Sequence, residues 1–225
     1  MLTAVVSAFF WPPIIFGALT ICAAIAGGFS ATASEQRYTY RVHLAPYGDI
    51  GVYRSAVDDA GETRTITTEA HFKVSVLGIT LYAQDLSRIE RQVGNRLIYF
   101  HGVTVENGTS IELDGRAEAD HFRLTSPSGS INAPATIRSS DPWSAGSFGR
   151  NIIFMTDTGV IAQAFTSGGE QTSIMINGAS VRVRRYQIDT EDGQERYQVW
   201  IDDHQTPVMF NRVDNDGTVT FTLSK

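Results

Sequence analysis

From Arg37 onward, apolar and polar residues alternate with a period of two. Tyr38, Tyr40, Val42 and Leu44 interleave with Thr39, Arg41 and His43, and the run from Ile66 to Val76 alternates in the same way. Successive side chains of an extended chain point to opposite faces, so this pattern predicts strands with one buried face. Between the runs stand Ala60-Gly61, Gly94-Asn95, Asn107-Gly108, Asn177-Gly178, Asp192-Gly193 and Asp216-Gly217. Gly and Asn tolerate the positive φ of tight hairpin turns, so these pairs mark strand reversals. The spacing predicts eleven or twelve strands. One stretch breaks the rhythm: Asp141 offers an N-cap and Pro142 a first helical residue, which predicts a short helical segment near residues 141–155. No linker or repeat divides residues 34–225, which read as a single all-β domain.

The first thirty-four residues are different. No charged residue and no histidine precedes Glu35, and residues 2–29 are almost wholly apolar. Ala31-Thr32-Ala33 fits the small-x-small pattern of signal-peptide cleavage, so residues 1–33 read as a secretory signal. The run is also long enough to cross a bilayer, which leaves an uncleaved membrane anchor as the alternative. Either reading takes the body of the protein out of the cytoplasm, to the periplasm or beyond. Cys22 is the only cysteine, so the exported part offers no disulfide and no thiolate ligand. A domain of about 190 residues can rely on its core, burying roughly 70% of its unfolded surface. The net charge of −6 is spread along the chain without blocks, which argues against nucleic acid and against anionic membrane surfaces as partners.

The candidate chemistry is sparse. Asp202-Asp203-His204 lies between the apolar runs "YQVWI" and "PVMF". Adjacent residues point in different directions, and Asp opens turns by bonding the backbone two residues on, so the cluster reads as a hairpin turn. His101 shares the face of Leu97, Tyr99 and Val103, which reads as a core histidine or one facing a ligand, with Gly102 beside it permitting close approach of another backbone. In "VRVRRYQI" the alternation slips by one residue. A β-bulge at Arg184-Arg185 would restore it; without one, Arg185 points inward as a cation suited to a carboxylate or phosphate. Neither G-x-S-x-G nor H-E-x-x-H occurs, no metal-ligand spacing stands out, and no cofactor is implied.

The stretches "YRVHLAPYGDIG", "YFHGV", "DPWS" and "QVWIDDHQTPVMF" together resemble a family of exported bacterial proteins known only as a domain of unknown function. The resemblance spans Tyr38 to Leu223 and implies a strongly curved antiparallel sheet or open β-barrel, similar to lipocalins or lipoprotein carriers. No activity travels with it. A barrel of this strand number with ample aromatics can enclose more space than its side chains fill. The leading expectation is therefore an exported binding module for a hydrophobic small molecule or acyl chain, with His101, Trp143, Arg185, Tyr99 and Asp141 as candidate ligand-facing residues. Trp143 would act as lid or plug. The alternatives are a non-covalent cyclase or isomerase using His101, Asp141 or Arg185, and a structural envelope protein with a filled core.

Overall fold

Hairpin succeeds hairpin along almost the whole chain. The computed structural model describes residues 35–144, 149–214 and 217–224; residues 1–33, read above as signal or anchor, lie outside them. Fifteen strands are present among the described residues, more than the turn signals predict: β1 (Gln36–Leu44), β2 (Gly48–Ala60), β3 (Thr63–Val76), β4 (Ile79–Val93), β5 (Arg96–Glu106), β6 (Thr109–Ala117), β7 (His121–Ser126), β8 (Gly129–Pro134), β9 (Arg138–Ser139), β10 (Gly149–Phe154), β11 (Ile161–Ile176), β12 (Ala179–Thr190), β13 (Arg196–Asp202), β14 (Pro207–Asp214) and β15 (Gly217–Leu223). They form one sheet in the order β8-β7-β6-β5-β4-β3-β2-β1-β15-β14-β13-β12-β11-β10-β9. Every neighbouring pair is antiparallel except β9 with β10. The expected curved sheet or open barrel is the observed fold.

The alternation does what it predicts in β1 and β3, where Tyr40 and Val42, and Ile66, Thr68, Ala70, Phe72 and Val74, are buried. Two clusters make most of the core. Tyr40, Tyr53, Phe72, Leu86, Val199 and Phe210 form one, and Phe100, Leu113, Phe122, Leu124, Ile137 and Phe154 the other. Aromatic rings tie the first together, with Phe210 stacked on Phe221 at 4.3 Å and Tyr53 edge-on to both.

The helical expectation holds for one turn only. A 3-10 turn spans Pro142–Ser144, and Asp141 Oδ1 accepts from the Trp143 N–H at 3.0 Å as the predicted cap. From Gly149 onward the segment is strand β10, so residues 149–154 correct the expected helix. Gly149 has φ +85, a conformation that ends helices rather than extends them.

The Asp202-Asp203-His204 segment joins β13 to β14 as a turn. Asp202 Oδ1 accepts from the N–H groups of His204 and Thr206, each at 2.9 Å, and Asp203 and His204 are exposed.

Candidate functional site

The site begins with strand β4. Its inner face carries Gln84, Leu86, Arg88, Glu90 and Gln92, so two amides and two ionisable groups share that face with a single leucine. Opposite them, across the curl of the sheet, lies the segment Arg138–Ser144 of β9 and the 3-10 turn. Glu90 is only 3% exposed. Its Oε1 accepts from Ser144 Oγ at 3.1 Å and from Gln92 Nε2 at 2.5 Å, while Ser139 and Ser144 share a hydrogen bond of 3.2 Å. Asp141, also buried, accepts from the Tyr53 hydroxyl at 3.1 Å and from the Trp143 N–H.

Two carboxyl groups are thus buried side by side, and burial disfavours their charged forms. Glu90 is pushed up to about 7, first by desolvation and then by the charge of Asp141, against the hydrogen bonds from Ser139, Gln92 and Ser144. Asp141 is raised by burial, opposed by the Trp143 N–H, the charge of Arg88 and the Tyr53 hydroxyl. Tyr53 itself is held protonated far above its usual range by burial and by Asp141.

Beside this network the interior is open. A cavity of about 130 Å³ is lined by apolar side chains, among them Phe72, Leu86, Phe210 and Phe221, and by polar ones, among them Arg88, Arg138, Ser139, Asp141, Asp157 and Arg212. Arg212 is committed: its Nη1 donates to Asp157 at 2.9 Å and its Nη2 to Glu195 at 2.8 Å, and Glu195 also accepts from the Tyr197 hydroxyl. Burial opposes the Arg212 charge, but Asp157, Tyr197 and Glu195 hold the guanidinium protonated above its ordinary value. Arg138 reaches the Asn95 carbonyl at 3.5 Å. Arg88 makes no hydrogen bond and no ion pair among the described residues, and its Nε is buried.

Of the five candidates read from the sequence, the structure places Asp141 on the cavity and the other four elsewhere. Tyr99 and His101 lie on the outer face of β5, because Ile98 is an extra residue opposite Arg91-Gln92 and splits Leu97 from the face it was assigned to. Tyr99 is flanked there by the guanidinium groups of Arg91 and Arg116 at 5.2 and 5.5 Å. His101 is 36% exposed and faces Asp114 at 3.6 Å, which corrects both the core and the ligand-facing readings. Gly102 beside it makes room for side chains rather than for a backbone: a Cβ there would meet the Phe100 ring at 3.1 Å and Arg88 Cγ at 3.3 Å.

Arg185 is exposed, 5.7 Å over the Trp200 ring, so it is not an inward cation. The bulge expected at Arg184-Arg185 is absent: β12 pairs with β13 without a shift from Val183 to Asp189, and the nearest bulge lies on the other partner, between Gly168 and Glu170 of β11. Trp143 packs on the Tyr38 ring at 4.8 Å, with its indole N–H buried and unpaired, and it does not line the cavity. The residues that sequence reasoning missed, Arg88 and Glu90, stand in a strand whose two faces are both polar enough to hide its orientation.

A model of the family described as a domain of unknown function, DUF6134, matches residues 46–224. The chain belongs to this family. All the residues of the DUF6134 site, from Tyr53 through Arg88, Glu90 and Asp141 to Phe221, fall inside the matched range. Among solved structures the chain is similar to a beta-barrel-like protein of another domain of unknown function, DUF1849, from Brucella abortus. The two share 12% identity at a TM-score of 0.62 over 85% of this chain and 96% of that one, a likeness of fold alone. No curated protein matches the chain.

Proposed function

We propose that this DUF6134 chain is an exported binding module that holds a small amphiphilic molecule inside its barrel-like sheet. The observation that carries the reading is the cavity of about 130 Å³, whose lining mixes apolar and hydrogen-bonding side chains. Ligand sites combine these features, with an apolar surface for affinity and a few placed polar groups for orientation. The volume narrows the expectation drawn from the sequence. An apolar cavity of roughly 150 Å³ admits benzene, so a compact ligand suits this interior better than a long acyl chain. Export rests on the apolar residues 1–33.

The alternatives have less support. A cyclase or isomerase was expected to draw on His101, Asp141 or Arg185, and only Asp141 borders the cavity. A purely structural envelope protein was expected to have a filled core. Native mass spectrometry of the purified protein, with organic extraction of whatever it carries, tests the binding reading. A bound small molecule is expected, or a rise in melting temperature with small aromatic probes. A protein that carries nothing and responds to no such probe would overturn it.

A further inference from the structure

We infer that the cavity takes a small organic anion, a carboxylate on a compact apolar body, gripped by Arg88; the inference rests on the reading of the cavity as a binding site. Five charged side chains line the cavity, and four are already engaged. Arg212 and Asp157 pair with each other, Asp141 accepts from Tyr53 and Trp143, and Arg138 reaches Asn95. Arg88 alone has no hydrogen-bond partner among the described residues, although its Nε is buried.

A buried donor left unpaired costs free energy that an acceptor from a ligand would recover. The guanidinium fork matches a planar carboxylate through two parallel N–H···O bonds. Arg88 is also held for the task. It lies directly across from Gly102 on β5, and its stem occupies the room that the missing Cβ leaves.

The neighbouring acids favour an anion over a cation. The Glu90 oxygen that faces the 3-10 turn already accepts from Ser144 and Gln92, and Asp141 accepts through both of its oxygens. Burial works against the charged form of both, so the acids are less suited to hold an ammonium group than their number suggests. Against Phe72, Leu86, Phe210 and Phe221 the remaining space suits an aromatic ring or a short branched chain.

Titration calorimetry with benzoate, its uncharged isostere benzamide, benzyl alcohol and benzylamine, on the purified wild-type chain and on Arg88→Met, tests this. Benzoate is expected to bind at least tenfold more tightly than benzamide or benzylamine, and Arg88→Met, checked by circular dichroism, to lose that preference. Benzamide or benzyl alcohol binding as well as benzoate would overturn the anion assignment while leaving the binding reading intact. Benzoate affinity unchanged in a folded Arg88→Met would also overturn it, because the anion would then sit elsewhere. Failure of all four probes to bind or to shift the melting temperature would count against the cavity reading itself, and the inference would fall with it.

Discussion

Glu90 is a carboxyl group that the folded chain holds more readily protonated than the unfolded chain does. Its folded value of about 7 lies above the ordinary 4.5, so between those values the native state binds more protons and stability falls as pH rises. Each pKa unit corresponds to about 1.4 kcal/mol, so the cost reaches on the order of 3 kcal/mol by pH 8. Asp141 adds a change of the same sign. Glu90→Gln keeps an acceptor for Ser144 and removes the charge. It should leave stability near pH 5 little changed and raise it at pH 8, reducing the slope measured by thermal melts at the two pH values. A variant that melts with the wild-type slope would show that Glu90 does not titrate in this window. At the opposite extreme of exposure stands Leu77, with φ +50 and 98% of its surface in water at the β3–β4 turn. The equivalent turns at Asn107-Gly108 and Asn177-Gly178 place Asn there. A left-handed conformation costs a branched side chain roughly 1 kcal/mol and Asn much less. Leu77→Asn should therefore stabilise the protein by about 0.5–1 kcal/mol in urea titrations; an unchanged or lower midpoint would argue against strain at this turn.

Among the elements, the β13–β14 hairpin separates turn chemistry from core chemistry within a few residues. His204 is exposed and its side chain holds nothing in the turn, so His204→Asn should change stability by no more than about 0.5 kcal/mol. Trp200 is buried with Val183 and Val208, and Trp200→Ala should cost about 3–5 kcal/mol. Equilibrium unfolding of the two variants side by side checks the contrast, and comparable losses would place His204 in a structural or binding role. This hairpin was legible in the sequence because burial, turn residues and alternation agree along it. Asp141 was legible for the same kind of reason, since a capping residue before a proline is a local signal. Strand β5 was not, because the extra residue Ile98 shifts the phase between Leu97 and Tyr99 without any turn residue to mark it. The slip at Arg184-Arg185 suggests a bulge that β12 does not carry: Val183 packs with Trp200 in one cluster and Tyr186 with Val199 in another, so both faces of the strand are covered. A bulge changes the phase only of the strand that carries it, so the one between Gly168 and Glu170 of β11 leaves the alternation of β12 as it was. Strand β4 hid most completely. Period two reveals a strand when its faces differ, and Arg88 and Glu90 make the inner face of β4 nearly as polar as its outer one.

At the scale of the whole molecule, what matters is where the sheet ends. Strands β8 and β9 stand at opposite ends of the strand order, yet only residues 135–137 separate them in the chain. The sheet therefore returns on itself without pairing its two edges, and a groove of about 620 Å³ separates Ile131, Ala133 and Pro134 of β8 from Ile152, Ile161 and Ala162 of β10 and β11. Backbone groups on the open side of β8 have no strand partner among the described residues, and β9 contributes only two residues to the sheet. The cavity wall formed by Arg138–Ser144 hangs from this weakly paired seam, so access to the interior should depend on it. Local opening is easiest where few hydrogen bonds and contacts must break. Amides of β8 and β9 should accordingly exchange with deuterium well before those of β3 and β4, which pair along fourteen positions with each other and are flanked on both sides. A small anion bound at Arg88 should slow exchange across residues 138–144 while leaving β3 unchanged. Protection of β8 and β9 equal to that of β3 would mean that the seam is no weaker than the body of the sheet, and entry to the cavity would have to be sought elsewhere.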